Sequence, residues 1–227
     1  MKIYPVIRSI TNRAKVLLVA GGLSFSPAAS APTTKVAADV FEKTSHPLIV
    51  NTVLPPVKFK DLVNMPPVPR FGSKDPVLLS FAPKSDTLIK GVKTNATMVV
   101  DVAHRVLFKY DTSGVAQSVY PIATGKPSTP THTGLRTVSH IESYPYKSAP
   151  AHTKRRRNPS PYGKKCIILE KLDAVTGEKS SIGEFIHGNN DTTSLGKAVS
   201  HGCMRMDNDA VVELSSQVKR GDVVIIR

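Results

Sequence analysis

The sequence is poor in the residues that mark disulfide scaffolds and metal modules. Its 227 residues include two cysteines, Cys166 and Cys203, and no tryptophan. Two cysteines can form one disulfide at most, so a small disulfide-rich scaffold and a four-cysteine zinc module are both excluded. Apolar residues at 40% and charged residues at 21% instead indicate an ordinary folded protein with a hydrophobic core.

Acidic residues are scarce in comparison with basic ones. Seventeen Asp and Glu face thirty-one Lys and Arg, which gives a formal net charge of +14. An excess of basic residues is typical of proteins that bind nucleic acids. Here, however, the charge is spread along the chain, and neither a zinc-finger spacing nor an aromatic RNA-binding motif accompanies it. We therefore expect no nucleic-acid partner, whereas an anionic polymer or surface is compatible with the charge.

The first 31 residues have the composition of an export signal. Four basic residues precede a short apolar run over 16–25, and the small residues Ala29, Ser30 and Ala31 follow. The apolar run is about half of the roughly 20 residues that span a bilayer, which favours a cleaved signal. An uncleaved anchor and an organelle presequence are the alternatives, because Pro32 directly follows the expected cleavage site.

Residues 32–95 differ in composition from the rest of the chain. They hold nine of the eighteen prolines, and proline breaks helices and cannot donate to a central sheet. This composition predicts a semi-rigid spacer arm whose short apolar runs could dock on the main domain. From Ala96 onward the pattern changes to β-prone runs, so a single folded domain is predicted over 96–227.

The domain 96–227 is predicted to be mainly β. Alternating and apolar runs bounded by turn residues predict strands at 97–102, 105–110, 115–123, 135–141, 166–172, 184–186 and 222–226. The Asp- and Gly-containing turns at 111–114 and 175–178 predict two hairpins. The Pro-rich segment 145–162, with its basic run at 154–157, is expected to be a long solvated loop.

Only one helix is expected in this domain. Asp207 or Asn208 can cap its first turn, and Val211, Leu214 and Val218 repeat at helical spacing behind them. About 130 residues of mostly β structure with one short helix indicate a compact sandwich or barrel.

The densest group of reactive side chains lies near the C-terminus, in His187-Gly188 and in Ser200-His201-Gly202-Cys203-Met204-Arg205. The thiolate is the nucleophilic form of cysteine, and a nearby imidazole or guanidinium lowers the thiol pKa. In extended backbone His201, Cys203 and Arg205 share one face, while Met204 and Met206 face the core. A position just before the expected helix would also favour negative charge on Cys203. The pattern predicts a cysteine nucleophile.

Two other interpretations of Cys203 stay open at this level. A cysteine is often only a small buried hydrophobic side chain. Alternatively, His187, His201 and Cys203 would supply three ligands to a catalytic zinc ion, although the spacing of the last two is tight and no fourth ligand suggests itself. Cys166 stands in an apolar run and is expected to be a free core residue.

The residues around Cys203 resemble the signature of the L,D-transpeptidase (YkuD-type) catalytic domain. The matching segments are Phe185-Ile186-His187-Gly188, Ser194-Leu195-Gly196 and Val199-Ser200-His201-Gly202-Cys203-Met204-Arg205-Met206. The similarity extends to a hairpin at 99–107, a strand at 120–126, a Thr-Pro turn at 129–131 and the terminal strand, so it covers about 96–227. His132, where a second proline is frequent, and the basic run 154–157 depart from the family pattern.

The resemblance implies both a fold and a reaction. The fold would be the L,D-transpeptidase-type β-sandwich or barrel, and the reaction would be acyl transfer on peptidoglycan tetrapeptide stems without a cofactor. Cys203 would attack the carbonyl of the third stem residue, release D-alanine and hold the stem as a thioester. An amine of a neighbouring stem or a lysine of an envelope protein would then accept the stem. The protein would be exported to the periplasm or cell envelope of a bacterium.

The resemblance also assigns roles to individual residues. His187 would be the general base, oriented by the backbone carbonyl of Gly188. The amides of Gly202 and Cys203, next to Ser200, would form an oxyanion hole. His201 would hold the site or the substrate, or serve only as hydrogen-bonded support. Arg205 would pair with a stem carboxylate or fix the loop.

Two alternatives and one condition accompany this functional prediction. Water in place of an amine would make the protein an L,D-carboxypeptidase that trims stems. A catalytically idle wall-binding protein would keep the fold without the reaction. The membrane would be a partner only if the first 31 residues are retained.

Overall fold

The computed structural model of the protein describes residues 65–227. The helices and strands of this part are α1 (Pro76–Leu79), β1 (Asp86–Ile89), β2 (Val92–Asn95), β3 (Met98–Asp101), β4 (Val106–Tyr110), β5 (Ala116–Pro121), β6 (Thr124–Gly125), β7 (Gly134–Ser143), α2 (Lys154–Arg157), β8 (Lys165–Leu172), β9 (Lys179–Asn189), β10 (Ala198–Ser200), β11 (Met204–Asp207), α3 (Asn208–Ser216) and β12 (Val223–Ile226). Short 3-10 turns lie at Ser160–Tyr162 and Thr192–Ser194.

Eight of the strands form one sheet in the order β11-β9-β8-β7-β12-β3-β4-β5. Most neighbours are antiparallel, but β11 runs parallel to β9 and β12 runs parallel to β3. Directly after β5, the Ala123 amide donates to the Arg205 carbonyl at 2.8 Å, and the Arg205 amide donates back at 2.9 Å. Because this bridge joins residues at the two edges of the sheet, the sheet is nearly closed, and the predicted mainly β sandwich or barrel class is confirmed.

Both faces of the central strands are buried. Successive side chains of a strand point to opposite faces, and Val99 and Val100 of β3 accordingly belong to two different core clusters. The first cluster includes Met204 and Met206 of β11 together with Leu214 of α3. Methionines 204 and 206 are fully buried, so the predicted alternation of this segment is confirmed for its core-facing half.

The single helix predicted from the sequence is present as α3. Asp207 is its N-cap, and its carboxylate accepts the amide of Asp209 at 2.8 Å. Val211, Leu214 and Val218 are buried as their spacing predicts. The two predicted hairpins are also present, since β4 pairs with β5 and β8 pairs with β9 in antiparallel register.

The described part of the expected spacer arm, residues 65–95, is folded rather than extended and docks on the main domain. Residues 65–95 contain α1 and the β1–β2 hairpin, and Leu78 of α1 is buried against Val99 and Phe108. The prolines do not prevent this, because Pro76 stands in the first helical turn, where its missing amide has no partner to lose. Residues 1–64, which include the predicted signal and the first part of the arm, lie outside the described residues.

The prolines of segment 145–162 predicted a long solvated loop, but the segment is partly helical and partly buried. Its basic run forms α2, and Arg155 of this turn is buried and paired with Glu142 of β7. The pairing draws one cation of the run inward and leaves its neighbours at the surface. Within residues 65–227, no helix has the length and apolar character needed to cross a membrane.

Candidate active site

His187 and Cys203 come from two neighbouring strands of the sheet. In the parallel pairing of β9 with β11, His187 lies opposite Arg205, and Cys203 directly precedes β11. Paired residues of neighbouring strands project from the same face, and so do residues two positions apart. His187, Arg205 and Cys203 therefore share one face of the sheet, opposite to the methionine-lined core.

The imidazole of His187 is held in one orientation. Its Nδ1 lies 2.7 Å from the Gly188 carbonyl oxygen, and a carbonyl can only accept, so Nδ1 carries the proton in the neutral ring. Nε2 is then the nitrogen that can accept a proton. The Tyr162 ring packs against the imidazole, with 5.1 Å between the ring centroids. The structure thus gives Gly188 the orienting position that the resemblance implies.

Burial makes His187 a weak base in the resting protein. It lowers the imidazole pKa to about 4, and the positive charge of Arg205 acts in the same direction. The backbone carbonyls of Gly188 and Tyr162 oppose this shift because they stabilise the protonated ring. At neutral pH the buried imidazole is consequently uncharged.

The thiol of Cys203 is also uncharged in this setting. Both cysteines are free, and burial raises the pKa of the Cys203 thiol, with the carboxylate of Glu184 adding to the rise. The Phe185 amide and Arg205 lower the thiol pKa, as the sequence predicted for a nearby cation, but burial is the largest influence. The site therefore holds a neutral thiol and a neutral imidazole, and the lowered thiol pKa expected from sequence is not found.

The expected contribution of the helix dipole is wrong. Cys203 precedes β11, and α3 begins only at Asn208, after the four residues of that strand. The dipole effect falls off within the first turn of a helix, so it does not reach Cys203. The segment that holds the cysteine is a junction between two strands, not between a strand and a helix.

A tight turn over 200–203 positions the cysteine. The Ser200 hydroxyl donates to the Cys203 carbonyl at 2.6 Å and accepts the Gly202 amide at 3.1 Å. Gly202 has φ of +111°, a region that favours glycine because a side chain would be strained there. The Gly202 amide is thus occupied, whereas the Cys203 amide donates to no protein atom within residues 65–227.

Thr131 ties this turn to the preceding Thr-Pro segment. Its hydroxyl donates to the Gly202 carbonyl at 2.7 Å and accepts the Gly125 amide at 2.9 Å. Nearby, the Thr129 hydroxyl donates to the Ser200 carbonyl at 3.2 Å. Because Thr131 is buried, no solvent replaces its hydroxyl when it is removed.

We expect Thr131→Val to destabilise the protein by about 2 kcal/mol, since a buried donor and a buried acceptor lose their partner. Urea unfolding of the full chain measures this difference. Thr129→Val is the matched control and should cost less than about 1 kcal/mol, because the Ser200 carbonyl keeps the Lys126 amide at 3.0 Å. Equal losses in the two variants would contradict the anchoring role of Thr131.

A buried ion pair lies behind the cysteine. Arg136 of β7 donates to Glu184 of β9 at 2.6 Å, and both side chains are almost fully buried. Arg136 also donates to the His132 carbonyl at 2.9 Å, so it holds the end of the Thr-Pro segment. This pair was not among the predicted site residues, although a charged residue inside the apolar run at 135–141 was the available signal.

The remaining predicted residues lie at the edge of the site. His201 is exposed and makes no hydrogen bond with the described residues, so the support role is not seen. Arg205 is partly buried beside His187, close enough for its charge to act on both His187 and Cys203. In residues 65–227 no three His, Cys, Asp or Glu side chains converge as metal ligands, so the suggested zinc set does not assemble.

The loop between β7 and β8 covers His187 through the ring of Tyr162. The Tyr146 hydroxyl donates to the carbonyls of Tyr162 and Gly163, at 2.8 Å each. These bonds fix the 3-10 turn that presses Tyr162 onto the imidazole. Tyr162 was not among the predicted site residues, because nothing in the local sequence indicates which distant histidine its ring will contact.

Known proteins match the part of the chain that builds this site. The family model of the L,D-transpeptidase catalytic domain matches residues 95–226. The Bacillus subtilis protein YkuD, whose name marks it as a candidate L,D-transpeptidase, is 41% identical over 108 residues, which are 47% of this chain and 51% of that protein. The Bacillus licheniformis protein of the same name is 33% identical over 144 residues, 61% of this chain and 72% of that protein. The chain thus spans about half the length of the first of these relatives.

Solved structures show weaker likeness. An L,D-transpeptidase from Mycobacterium tuberculosis is 21% identical, covers 59% of each chain and gives a TM-score of 0.41. The catalytic domain of an Enterococcus faecium L,D-transpeptidase is 20% identical, with 59% of this chain and 97% of that chain covered and a TM-score of 0.41. The family assignment rests on the sequence match rather than on these scores. Through residues 95–226, the chain belongs to the L,D-transpeptidase catalytic-domain family.

Proposed function

We propose that the protein is a peptidoglycan L,D-transpeptidase in which Cys203 is the nucleophile and His187 the general base. The observation that carries this proposal is the parallel pairing of β9 with β11, which puts His187 and Cys203 on one face of adjacent strands. Membership of the transpeptidase family supports the reaction class. The orientation of the His187 ring by Gly188 supports the choice of base.

The first half-reaction would acylate the cysteine. As the Cys203 sulfur attacks the carbonyl of the third stem residue, the thiol proton passes to Nε2 of His187. The Cys203 amide, which has no partner in the described residues, would stabilise the oxyanion, and the Gly202 amide would contribute only after release from Ser200. The C–N bond then breaks, D-alanine leaves with the proton from His187, and a thioester remains.

The second half-reaction would transfer the stem. An amine attacks the thioester carbonyl, His187 accepts the amine proton, and the C–S bond breaks to restore the thiol of Cys203. The acceptor would be the side-chain amine of diaminopimelate on a neighbouring stem, or the lysine of an envelope protein. Transfer to water would give the carboxypeptidase reaction instead.

The residues at the mouth of the site would bind the substrate. Arg205 is partly buried next to His187, and its guanidinium would pair with a stem carboxylate. His201 is exposed on the turn that holds Cys203 and would contact the substrate rather than the catalytic pair. Ser200 would act indirectly, through its bond to the Cys203 carbonyl.

The catalytic domain would span 96–227, with residues 65–95 packed against it. Residues 1–31 would direct export to the periplasm or cell envelope, where the substrate lies, and residues 32–64 would connect the two parts.

We expect kcat/KM to fall on the acid side with an apparent pKa of about 4. The buried imidazole of His187 has a pKa of about 4, so the neutral base is lost only as the pH falls through that value. On the alkaline side the raised thiol pKa of Cys203 keeps the neutral pair intact through pH 8. Initial rates of D-alanine release between pH 3.5 and 9 measure this profile.

Acid unfolding must be separated from this titration. Unfolded His187 regains its ordinary pKa near 6.5, so the stability linked to its neutral form is present above pH 6.5 and declines as the pH falls towards 4. Circular dichroism at each pH identifies the range in which the protein stays folded. An acid limb centred near 6.5 in folded protein would contradict a buried, neutral base.

The overall reaction is tested with a disaccharide tetrapeptide and the full chain. Chromatography with mass detection follows D-alanine and the stem product, with and without a second amine-bearing stem. Cross-linked product supports transpeptidation, whereas a trimmed stem alone supports the carboxypeptidase. No D-alanine release by folded, reduced protein would favour the idle wall-binding alternative.

A further inference from the structure

The loop that covers the candidate site is a strongly basic part of the chain. Between Glu142 and Glu170 the sequence contains no acidic residue. The same stretch contains seven cations: Lys147, Lys154, Arg155, Arg156, Arg157, Lys164 and Lys165. The catalytic chemistry proposed above uses none of them, so this concentration of charge calls for a separate explanation.

Three of the seven cations are satisfied within the protein. Arg155 pairs with Glu142 through two contacts, of which Nη2 to Oε1 is 3.1 Å. Lys164 lies 2.6 Å from Asp209, and Lys165 donates to the Ser143 hydroxyl at 2.7 Å. The other four, Lys147, Lys154, Arg156 and Arg157, make no side-chain hydrogen bond or ion pair with residues 65–227.

The buried Arg155 explains why the neighbouring unpaired cations point towards solvent. Its guanidinium lies 5.1 Å from the centre of the Phe185 ring in addition to its pairing with Glu142. Successive residues of a helical turn project about 100° apart, so the inward direction of Arg155 turns its neighbours outward. Lys154 and Arg157 are exposed and Arg156 is half-buried. The ion pair therefore fixes a cationic surface instead of leaving a freely moving chain.

We propose that this basic surface, made of Lys147, Lys154, Arg156 and Arg157, binds a linear polyanion whose charges are phosphodiesters. Guanidinium groups match the oxygens of a phosphate with two parallel N–H donors, and lysines add point charges around them. A flexible chain with one negative charge per repeat can place successive phosphates on the successive unpaired cations of this segment. The charge complementarity of a segment without acidic residues and a polyphosphodiester carries the choice of partner.

The packing of the loop disfavours a nucleic acid as that partner. Proteins that bind single strands without sequence preference stack bases on aromatic side chains. Tyr146 is fully buried, and the Tyr162 ring packs against His187 and Phe185, which leaves Tyr144 as the exposed ring of the loop. Recognition would use phosphates alone, which a poly(glycerol phosphate) chain supplies without bases that need aromatic partners.

Binding here would hold the catalytic domain on a polyanionic matrix beside its candidate site. Tyr162, at the end of the same loop, contacts His187, so a polymer bound to the cations would sit on the loop that covers the site. The inference does not depend on the proposed reaction. Loss of polymer binding and loss of D-alanine release are separate measurements.

The test uses the full chain and fluorescently labelled poly(glycerol phosphate) in an anisotropy titration at low salt. Arg156→Glu/Arg157→Glu should weaken binding by at least about tenfold, because charge reversal replaces two phosphate contacts by repulsion. The matched control is Lys219→Glu/Arg220→Glu, which changes the net charge equally at exposed residues beyond the far end of α3. The control should change the dissociation constant by less than about threefold. D-alanine release from a soluble tetrapeptide should be unchanged in both variants.

Poly-L-glutamate and a single-stranded oligonucleotide of equal charge are titrated in the same way, and their affinities are compared with that of poly(glycerol phosphate). Absence of binding, equal weakening in the two double variants, or equal affinity for polyglutamate would overturn the proposal. Markedly tighter binding of the oligonucleotide would overturn it in favour of a nucleic acid. If the Glu variant is unfolded by circular dichroism, Arg156→Gln/Arg157→Gln replaces it and should reduce the slope of log affinity against log salt by about 2.

Discussion

Replacing Cys203 with alanine is expected to lower the rate of D-alanine release by at least about 10⁴-fold, to the background of the assay. Removal of a nucleophile leaves only the small rate enhancement that binding and oxyanion stabilisation supply. The fold should survive, because Cys203 is only partly buried and its backbone, not its thiol, holds the turn through Ser200. Steady-state rates and a thermal melt of the same preparation measure both statements.

The second cysteine provides a matched control for this variant. Cys166 is fully buried and lies opposite His187 in the pairing of β8 with β9, and burial raises the pKa of its thiol strongly. A thiol in that setting is inert, so Cys166→Ala should keep most of the activity while losing some stability. D-alanine release that survives Cys203→Ala but not Cys166→Ala would show that Cys166, and not Cys203, is the nucleophile.

Breaking the buried ion pair behind the site is expected to have the largest effect on stability. Arg136→Met leaves the Glu184 carboxylate buried without its partner at 2.6 Å, and it also frees the His132 carbonyl. Removing one member of a buried pair typically costs about 3 to 5 kcal/mol. The uncompensated charge of Glu184 would further raise the thiol pKa of Cys203, which already feels this carboxylate.

A double substitution distinguishes loss of the pair from loss of packing. Arg136→Met/Glu184→Leu removes both charges and should recover most of the lost stability, since no buried charge is left unpaired. Urea unfolding of the full chain, with midpoint and slope both fitted, measures the two variants. A loss below about 1 kcal/mol in Arg136→Met would show that the pair does not support the site.

Much of the fold follows from local patterns in the sequence. The apolar runs between turn residues predicted the central strands, and the cap and spacing around Asp207 and Leu214 predicted α3. The β1–β2 hairpin was missed, because the surrounding prolines indicated a spacer. A signal was present in Lys90-Gly91, where both residues have positive φ as a two-residue hairpin turn requires.

The motif located the candidate site, but not the groups that support it. Local sequence predicted His187, Gly188 and Cys203 as a set, and their placement around β9 and β11 agrees with that set. Arg136 and the loop tyrosines come from distant parts of the chain and meet the site only through the pairing of β7, β8 and β9. Thr131 reaches the site through its hydrogen bonds to Gly125 and Gly202. The protonation states also depend on burial, which no local pattern specifies.

The proposed thioester between Cys203 and the stem is tested by intact-protein mass spectrometry. The full chain is incubated with a disaccharide tetrapeptide without an amine acceptor, quenched in acid and weighed, and a peptide digest locates the modification. We predict an added mass equal to the substrate minus D-alanine, on the peptide that contains Cys203, and no such mass in Cys203→Ala. An adduct on another residue, or D-alanine release that persists in Cys203→Ala, would exclude Cys203 as the nucleophile that forms the thioester.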